Sequence, residues 1–195
     1  MSRKVGTICM VLGAALVLAA LSLFLWNRQE ASAADAAAAD ALAQVTERIA
    51  TAESAAPDPY STEMTEAEID GHSYIGYLSL PTESLELPVM SDWNYDQLRI
   101  APCRYYGSTK TDDLVIAGHN YIRHFGPIEN LVPGDAVYFT DMDGVTTAYE
   151  VVEVDTLSAT AVEEMTGSGF DLTLFTCNYS GQARVTVRCD RADAG

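Results

Sequence analysis

The chain has 195 residues, with 11 Lys and Arg against 28 Asp and Glu, for a formal net charge of −17. So acidic a chain lacks the basic face that replaces phosphate counterions, which excludes a generic nucleic-acid binder. A hydrophobic content of 48% excludes wholesale disorder, and the four cysteines (Cys9, Cys103, Cys177, Cys189), none in a CxxC pair, form neither a disulfide scaffold nor a zinc ribbon.

Residues 1–4 include Arg3 and Lys4, and Val5 to Trp26 follows as 22 residues without a charge. That length suits a helix crossing the ~30 Å hydrocarbon core, so residues 5–26 are expected to be a single-pass membrane anchor. The cations precede the span and the chain after it turns acidic, so the positive-inside bias leaves the N-terminus cytoplasmic and sends the remainder outside the cell membrane. The rival is a cleaved signal peptide with a small-residue site at Ser32-Ala33-Ala34. The apolar run exceeds the usual h-region of about 7–15 residues, which favours the anchor.

Residues 27–60 are Ala-rich and predict a helical or partly helical stalk. Leu42, Val45 and Ile49 make only a thin stripe, too little by itself to specify a partner helix. Pro57 and Pro59 break the pattern, and a folded domain is expected over 61–195. There, short apolar runs between turn residues predict an all-β barrel or sandwich with brief helices.

Strands are predicted at Tyr74–Leu80, Leu85–Met90, Leu114–Ala117, Ala136–Thr140, Val145–Val154, Leu172–Cys177 and Ala183–Cys189. Pro88 favours an edge or bulge for the second of these. Short helices are predicted at Tyr95–Ile100 and Thr160–Met165, and Asp143-Gly144 and Tyr179-Ser180-Gly181 mark hairpin turns.

Chemistry concentrates at strand ends, where a sheet holds a side chain while the adjoining loop admits substrate. Cys177 ends one apolar strand, His119 follows another at a Gly-His step, and Arg184 opens the strand after the cysteine. A lone cysteine is commonly a buried small hydrophobe. The company of His119 and Arg184 points instead to nucleophilic catalysis.

These segments resemble the sortases, membrane-anchored cysteine transpeptidases of Gram-positive bacteria. Thr173-Leu174-Phe175-Thr176-Cys177 matches the family's TLxTC strand, Val115-Ile116-Ala117-Gly118-His119 its strand-Ala-Gly-His motif, and Arg184-Val185-Thr186-Val187 its Arg-bearing strand. Pro133-Gly134-Asp135 is similar to the family as well, and the likeness runs from about Tyr74 to Arg191. It implies a β-barrel of about eight strands, preceded by a transmembrane helix and the stalk, with Cys177, His119 and Arg184 converging on a groove. Cys177 would attack a sorting-signal peptide to form a thioester, His119 would serve as general acid and base, and Arg184 would stabilise the oxyanion or position substrate. Thr176, beside the nucleophile, is expected to touch substrate.

The implied partners are secreted proteins with a C-terminal sorting motif and an amine on a peptidoglycan precursor or a pilin. A cysteine endopeptidase releasing its product to water, and a catalytically silent envelope-binding domain, are the alternatives. No cofactor is expected. His119 and His124 lack a third zinc ligand at a useful spacing, while Asp112, Asp113, Glu163 and Glu164 are the acidic candidates for calcium. Arg188 competes with Arg184 but lies farther from the cysteine end of the hairpin, and His72 reads as a surface residue. Cys103 and Cys189 are expected either as a disulfide or as two separate buried thiols. Ser91-Asp92-Trp93 is the nearest candidate for the lid of pilus-building relatives, although it falls inside the domain. Asp155 to Asp171 is too short for the long helix of class B enzymes, so the subclass stays open.

Overall fold

Uninterrupted Ala, Leu and other strong helix formers dictate one long helix, and the computed structural model, which describes residues 3–51 and 61–192, has α1 at Arg3–Thr51. The chain divides into two compact units, residues 1–34 and 35–195. The first is the apolar part of α1, long and hydrophobic enough to cross a membrane and with none of its most apolar stretch buried in protein. The expected domain boundary at Pro57 to Tyr60 lies outside the described residues.

The second unit is the barrel together with the end of α1. Its strands are β1 (Ala67–Ile69), β2 (His72–Leu80), β3 (Leu85–Met90), β4 (Cys103–Tyr106), β5 (Leu114–Gly118), β6 (Ala136–Asp141), β7 (Thr146–Ser158), β8 (Leu172–Cys177) and β9 (Ala183–Arg191). A five-residue helix, α2, spans Val162–Thr166. The sheet runs β1-β2-β3-β4-β5-β8-β9-β7-β6, and pairing of β2 with β6 closes β2 to β9 into an eight-stranded barrel with β1 as an extra strand. Closure removes the free edges that would otherwise template aggregation.

Every predicted strand is present, most of them extended by a residue or more. β1 and β4 were not predicted. β1 is too short to display alternation, but Asp70 and Gly71, both at positive φ between Ile69 and His72, form the Asp-Gly turn that signals a two-residue hairpin. β4 is interrupted by a bulge between Arg104 and Tyr106, which disguises its period of two. Pro88 sits as its chemistry requires: β3 pairs fully with β2 but meets β4 only at Met90 and Cys103.

β5 is buried along its whole length because it is flanked by β4 and, in parallel, by β8. This explains its unbroken apolar run. The barrel interior is filled by Ile75, Leu78, Phe125, Phe139, Leu174 and their neighbours.

The stalk expectation for 27–60 requires correction over residues 35–51. Ala41 and Val45 are buried and Ile49 packs beside them, in one cluster with Ile69, Tyr74, Met90, Ala101, Cys103 and Met142 of the barrel unit, while Ala38 joins the main core that includes Met64 and Ile75. The stripe at spacings of three and four is narrow because the partner surface supplies the bulk, while the alanines let the helix sit close. Gln44 adds a 2.6 Å hydrogen bond from its Nε2 to Asp70 Oδ2.

Candidate active site

Strand register sets the site. Cys177 is the direct partner of Arg184 across the β8–β9 pair, and the parallel β5–β8 pair ends with Gly118 opposite Thr176. His119 therefore leaves β5 at the level where Cys177 ends β8, so the three predicted residues emerge from the same end of adjacent strands. The Thr176 hydroxyl donates to the Gly118 carbonyl at 2.9 Å and is buried. That hydroxyl ties the cysteine strand to the histidine strand, while Thr176 also lines the two clefts that meet at Cys177.

Gly118 has a packing reason for lacking a side chain. A Cβ there would lie 2.3 Å from Phe125 Cγ, and Phe125 is fully buried. The Phe125 amide donates to the His119 carbonyl at 3.0 Å, closing the segment after β5 into a tight loop. Within it the His119 ring stacks on Tyr121 with centroids 3.8 Å apart. His124 is buried against the edge of Tyr121, a core position rather than a second ligand facing solvent.

The thiols differ by environment. Cys177 is exposed at its strand end, whereas Cys103 and Cys189 are buried and free, in separate apolar clusters. The open alternative of a disulfide is settled in favour of separate thiols. Burial pushes both buried thiols up to about 12, because a thiolate there would lose its hydration.

The two arginines divide equally clearly. Arg184 borders the cleft beside Cys177, its guanidinium donating to the carbonyls of Gly181 and Ala183 at 3.2 Å. Arg188 is buried, opposite Thr173 at the far end of β8. Its guanidinium donates to the Glu164 carbonyl at 2.7 Å, the Thr173 hydroxyl at 3.1 Å and the Met165 carbonyl at 3.5 Å, and lies over the Phe170 ring. Arg188 therefore pins α2 to the sheet, and burial lowers its pKa against the opposing pull of the Asp155 and Glu153 carboxylates.

Two clefts meet at Thr176 and Cys177. The first, of about 230 Å³, is walled by Trp93, Tyr105, Met165 and Phe175, with Arg184 as its only charged residue among those described. Its aromatic wall is continuous: Trp93 and Tyr105 centroids are 5.4 Å apart, and Tyr105 meets Phe175 edge-on at 5.2 Å. Trp93, in the lid candidate, thus borders the cleft from the loop after β3 rather than from a segment ahead of the barrel. The second cleft runs between the segment 120–130 and the β8–β9 turn.

The aromatic wall escaped the sequence analysis because Trp93, Tyr105 and Phe175 come from three separate segments. Their period and spacing carry no common signal. Among the described residues, no three His, Cys, Asp or Glu side chains converge as a metal site. Asp112 pairs with Arg191, the Asp113 carboxylate accepts from the Ser108 amide, and Glu163 and Glu164 lie on α2.

The family model described as "Sortase domain" matches residues 78–192. None of the curated proteins matches this sequence. Among solved structures, sortase A from Corynebacterium diphtheriae superposes with a TM-score of 0.57 at 22% identity, over 64% of this chain and 63% of that one. Sortase C1 from Streptococcus suis gives 0.54 at 26% identity, over 63% of this chain and 74% of that one. A mutant of sortase C-1 from S. pneumoniae gives 0.63 at 20% identity, over 80% and 98%. The chain thus spans less than two thirds of the Corynebacterium protein, and these likenesses include both A-type and C-type relatives.

Proposed function

Because this chain belongs to the sortase family, we propose that it is a membrane-anchored cysteine transpeptidase, cleaving a sorting-signal peptide and passing its acyl part to an amine. The observation that carries this is the register that brings Cys177, Arg184 and the end of β5 to one level, with the exposed thiol at the junction of two clefts.

Cys177 Sγ attacks the scissile carbonyl as thiolate, the form that is nucleophilic. Negative charge develops on the carbonyl oxygen, and Arg184, a permanent cation with forked N–H donors, stabilises it or orients the peptide. The leaving amine takes a proton from His119, and a thioester to Cys177 remains. An incoming amine then attacks the thioester carbon and gives a proton to His119, and the carbon–sulfur bond breaks to release Cys177 as the thiolate that began the cycle. Thr176 acts as a positioning residue, its hydroxyl holding Cys177 level with the histidine strand.

The anchor runs across the cell membrane with its N-terminus in the cytoplasm, which leaves the barrel outside to meet secreted proteins carrying a C-terminal sorting motif. The acceptor is an amine on a peptidoglycan precursor or a pilin.

The test uses the full chain in detergent, a peptide library and an added amine, with mass spectrometry of the protein and the released products. An acyl group on Cys177 and amine-capped peptide are expected, both absent from Cys177→Ala. Full activity of Cys177→Ala would end the proposal, and a product capped only by water would replace transfer with hydrolysis.

A further inference from the structure

The first cleft is bordered by two lips that are fastened very differently. The loop after β3 is held at several points. Arg104 Nε donates to the Ser91 carbonyl at 2.8 Å, Asn94 Oδ1 accepts from the amides of Asp96 and Gln97 at 3.0 and 2.9 Å, and Leu98 and Ile100 pack against the cluster that holds Ala101 and Cys103. The opposite lip is the connection from β7 to β8, which brings Ala159, Ala161, Val162 and Met165 to the cleft. Of residues 159–170 only Met165 is buried. Apart from local turns that start at Ser158, the hydrogen bonds holding this stretch, among the described residues, are the two that Arg188 donates to the carbonyls of Glu164 and Met165.

Strand parity explains why an arginine stands there. Arg184 pairs with Cys177, and two alternations back along β8 the same face carries Thr173 opposite Arg188. The face that bears the reactive pair thus ends beneath α2 in a second arginine, which is 4% exposed and lines neither cleft. Its planar fork reaches two carbonyls of α2 and the Thr173 hydroxyl together, with the Phe170 ring against its face. A lysine ammonium has no such fork.

We propose that Arg188 is a positioning residue for the donor peptide: by fixing the main chain of α2 it sets where Val162 and Met165 stand along the cleft, and so how tightly the donor is held beside Cys177. The inference rests on the transpeptidase reading above and deepens it. With five residues, α2 is too short to be stable alone, so its place depends on what fastens it. Loosening that fastening makes the donor order the lip as it binds, which weakens binding. The thiol is not altered, because Cys177 and Arg184 lie at the other end of β8 and β9.

The experiment compares the full-length wild type with Arg188→Lys, Met165→Ala and the double variant, using a donor peptide found to acylate wild-type Cys177. KM and the saturating rate of acylation are measured, together with alkylation of Cys177 by iodoacetamide and hydrogen exchange at the amides of residues 161–167 and of β9. Arg188→Lys should raise KM about five- to tenfold, the scale of one net hydrogen bond. Saturating rate and alkylation should stay within about twofold of wild type, the pattern of lost binding rather than lost chemistry. Exchange in α2 should quicken while β9 remains protected. Met165→Ala should also raise KM, and the two effects should not multiply in the double variant, since both act through one element. An unchanged KM in Arg188→Lys overturns the assignment, as does a lowered saturating rate at constant KM or a double variant whose effects multiply. Unfolding of Arg188→Lys, or exchange that quickens throughout the barrel, makes Arg188 a support of the whole fold and overturns it equally. Absence of acylation of the wild type by every peptide in the library instead overturns the transpeptidase reading on which the inference rests.

Discussion

Replacing Gly118 with alanine tests whether packing behind the histidine sets the geometry of the site. The added methyl would stand 2.3 Å from Phe125 Cγ, 2.4 Å from Cδ2 and 2.8 Å from Cβ. Favourable carbon contacts lie near ~3.5–4.0 Å, so the shortfall exceeds ~1 Å at the closest atom. Rotation of the ring does not relieve it, because Phe125 Cβ is itself too close and the side chain is fully buried. The clash must therefore move the Phe125 backbone, whose amide is bonded to the His119 carbonyl. Overpacking of this kind costs about 1–3 kcal/mol, and a displacement of about 1 Å at a catalytic group is enough to lower the rate by about a hundredfold. Urea unfolding should report a lower midpoint, and the rate of Cys177 acylation should fall by at least an order of magnitude. The double variant Gly118→Ala/Phe125→Leu should recover part of both. A Gly118→Ala protein with wild-type midpoint and acylation rate would refute the reasoning.

Three further outcomes follow from burial and charge. A water-soluble maleimide should modify Cys177 in the native protein while sparing Cys103 and Cys189, whose thiols are buried and held neutral; peptide mapping that finds equal labelling of all three would contradict this. Val45→Ala should destabilise the barrel unit by about 2 kcal/mol, because it removes fully buried apolar surface from the α1 contact; an unchanged unfolding midpoint would return residues 35–51 to the role of a bare stalk. Asp141 is buried at the β6–β7 turn, and burial raises its carboxyl pKa although its Oδ1 accepts from the amides of Asp143 and Val145. A folded pKa above the unfolded one favours the folded state below the unfolded value of about 3.9 and loses that share as pH rises through the folded value. Asp141→Asn, which keeps the acceptor oxygen, should therefore gain stability over wild type on going from pH 4 to pH 7; a widening loss over that interval, read from urea midpoints, would reverse the sign.

Much of the barrel was legible because a strand writes its period of two into the chain. Ala183 onward alternates apolar with polar residues, and Gly144 and Gly181 mark the turns that join such strands. The candidate site residues were legible for a related reason: Cys177 and His119 sit where an apolar run stops, and Arg184 where the next strand opens. β1 and β4 were hidden by shortness and by a bulge, and the docking of α1 by alanines that look the same whether exposed or packed.

The sequence by itself determined the membrane-length apolar helix, the strand-rich domain, and the residue types able to form and resolve a thioester. Tertiary structure decided which of them meet. The parallel pairing of β5 with β8 joins Gly118 to Thr176 across 58 residues, and the closed sheet sets Arg184 opposite Cys177 in register while burying Arg188 under α2. It also decided that Trp93, Tyr105 and Phe175 form one wall. Periodicity is a property of neighbouring residues and survives in the linear chain. Convergence depends on which distant strands pair, a choice made by burying all their apolar faces at once.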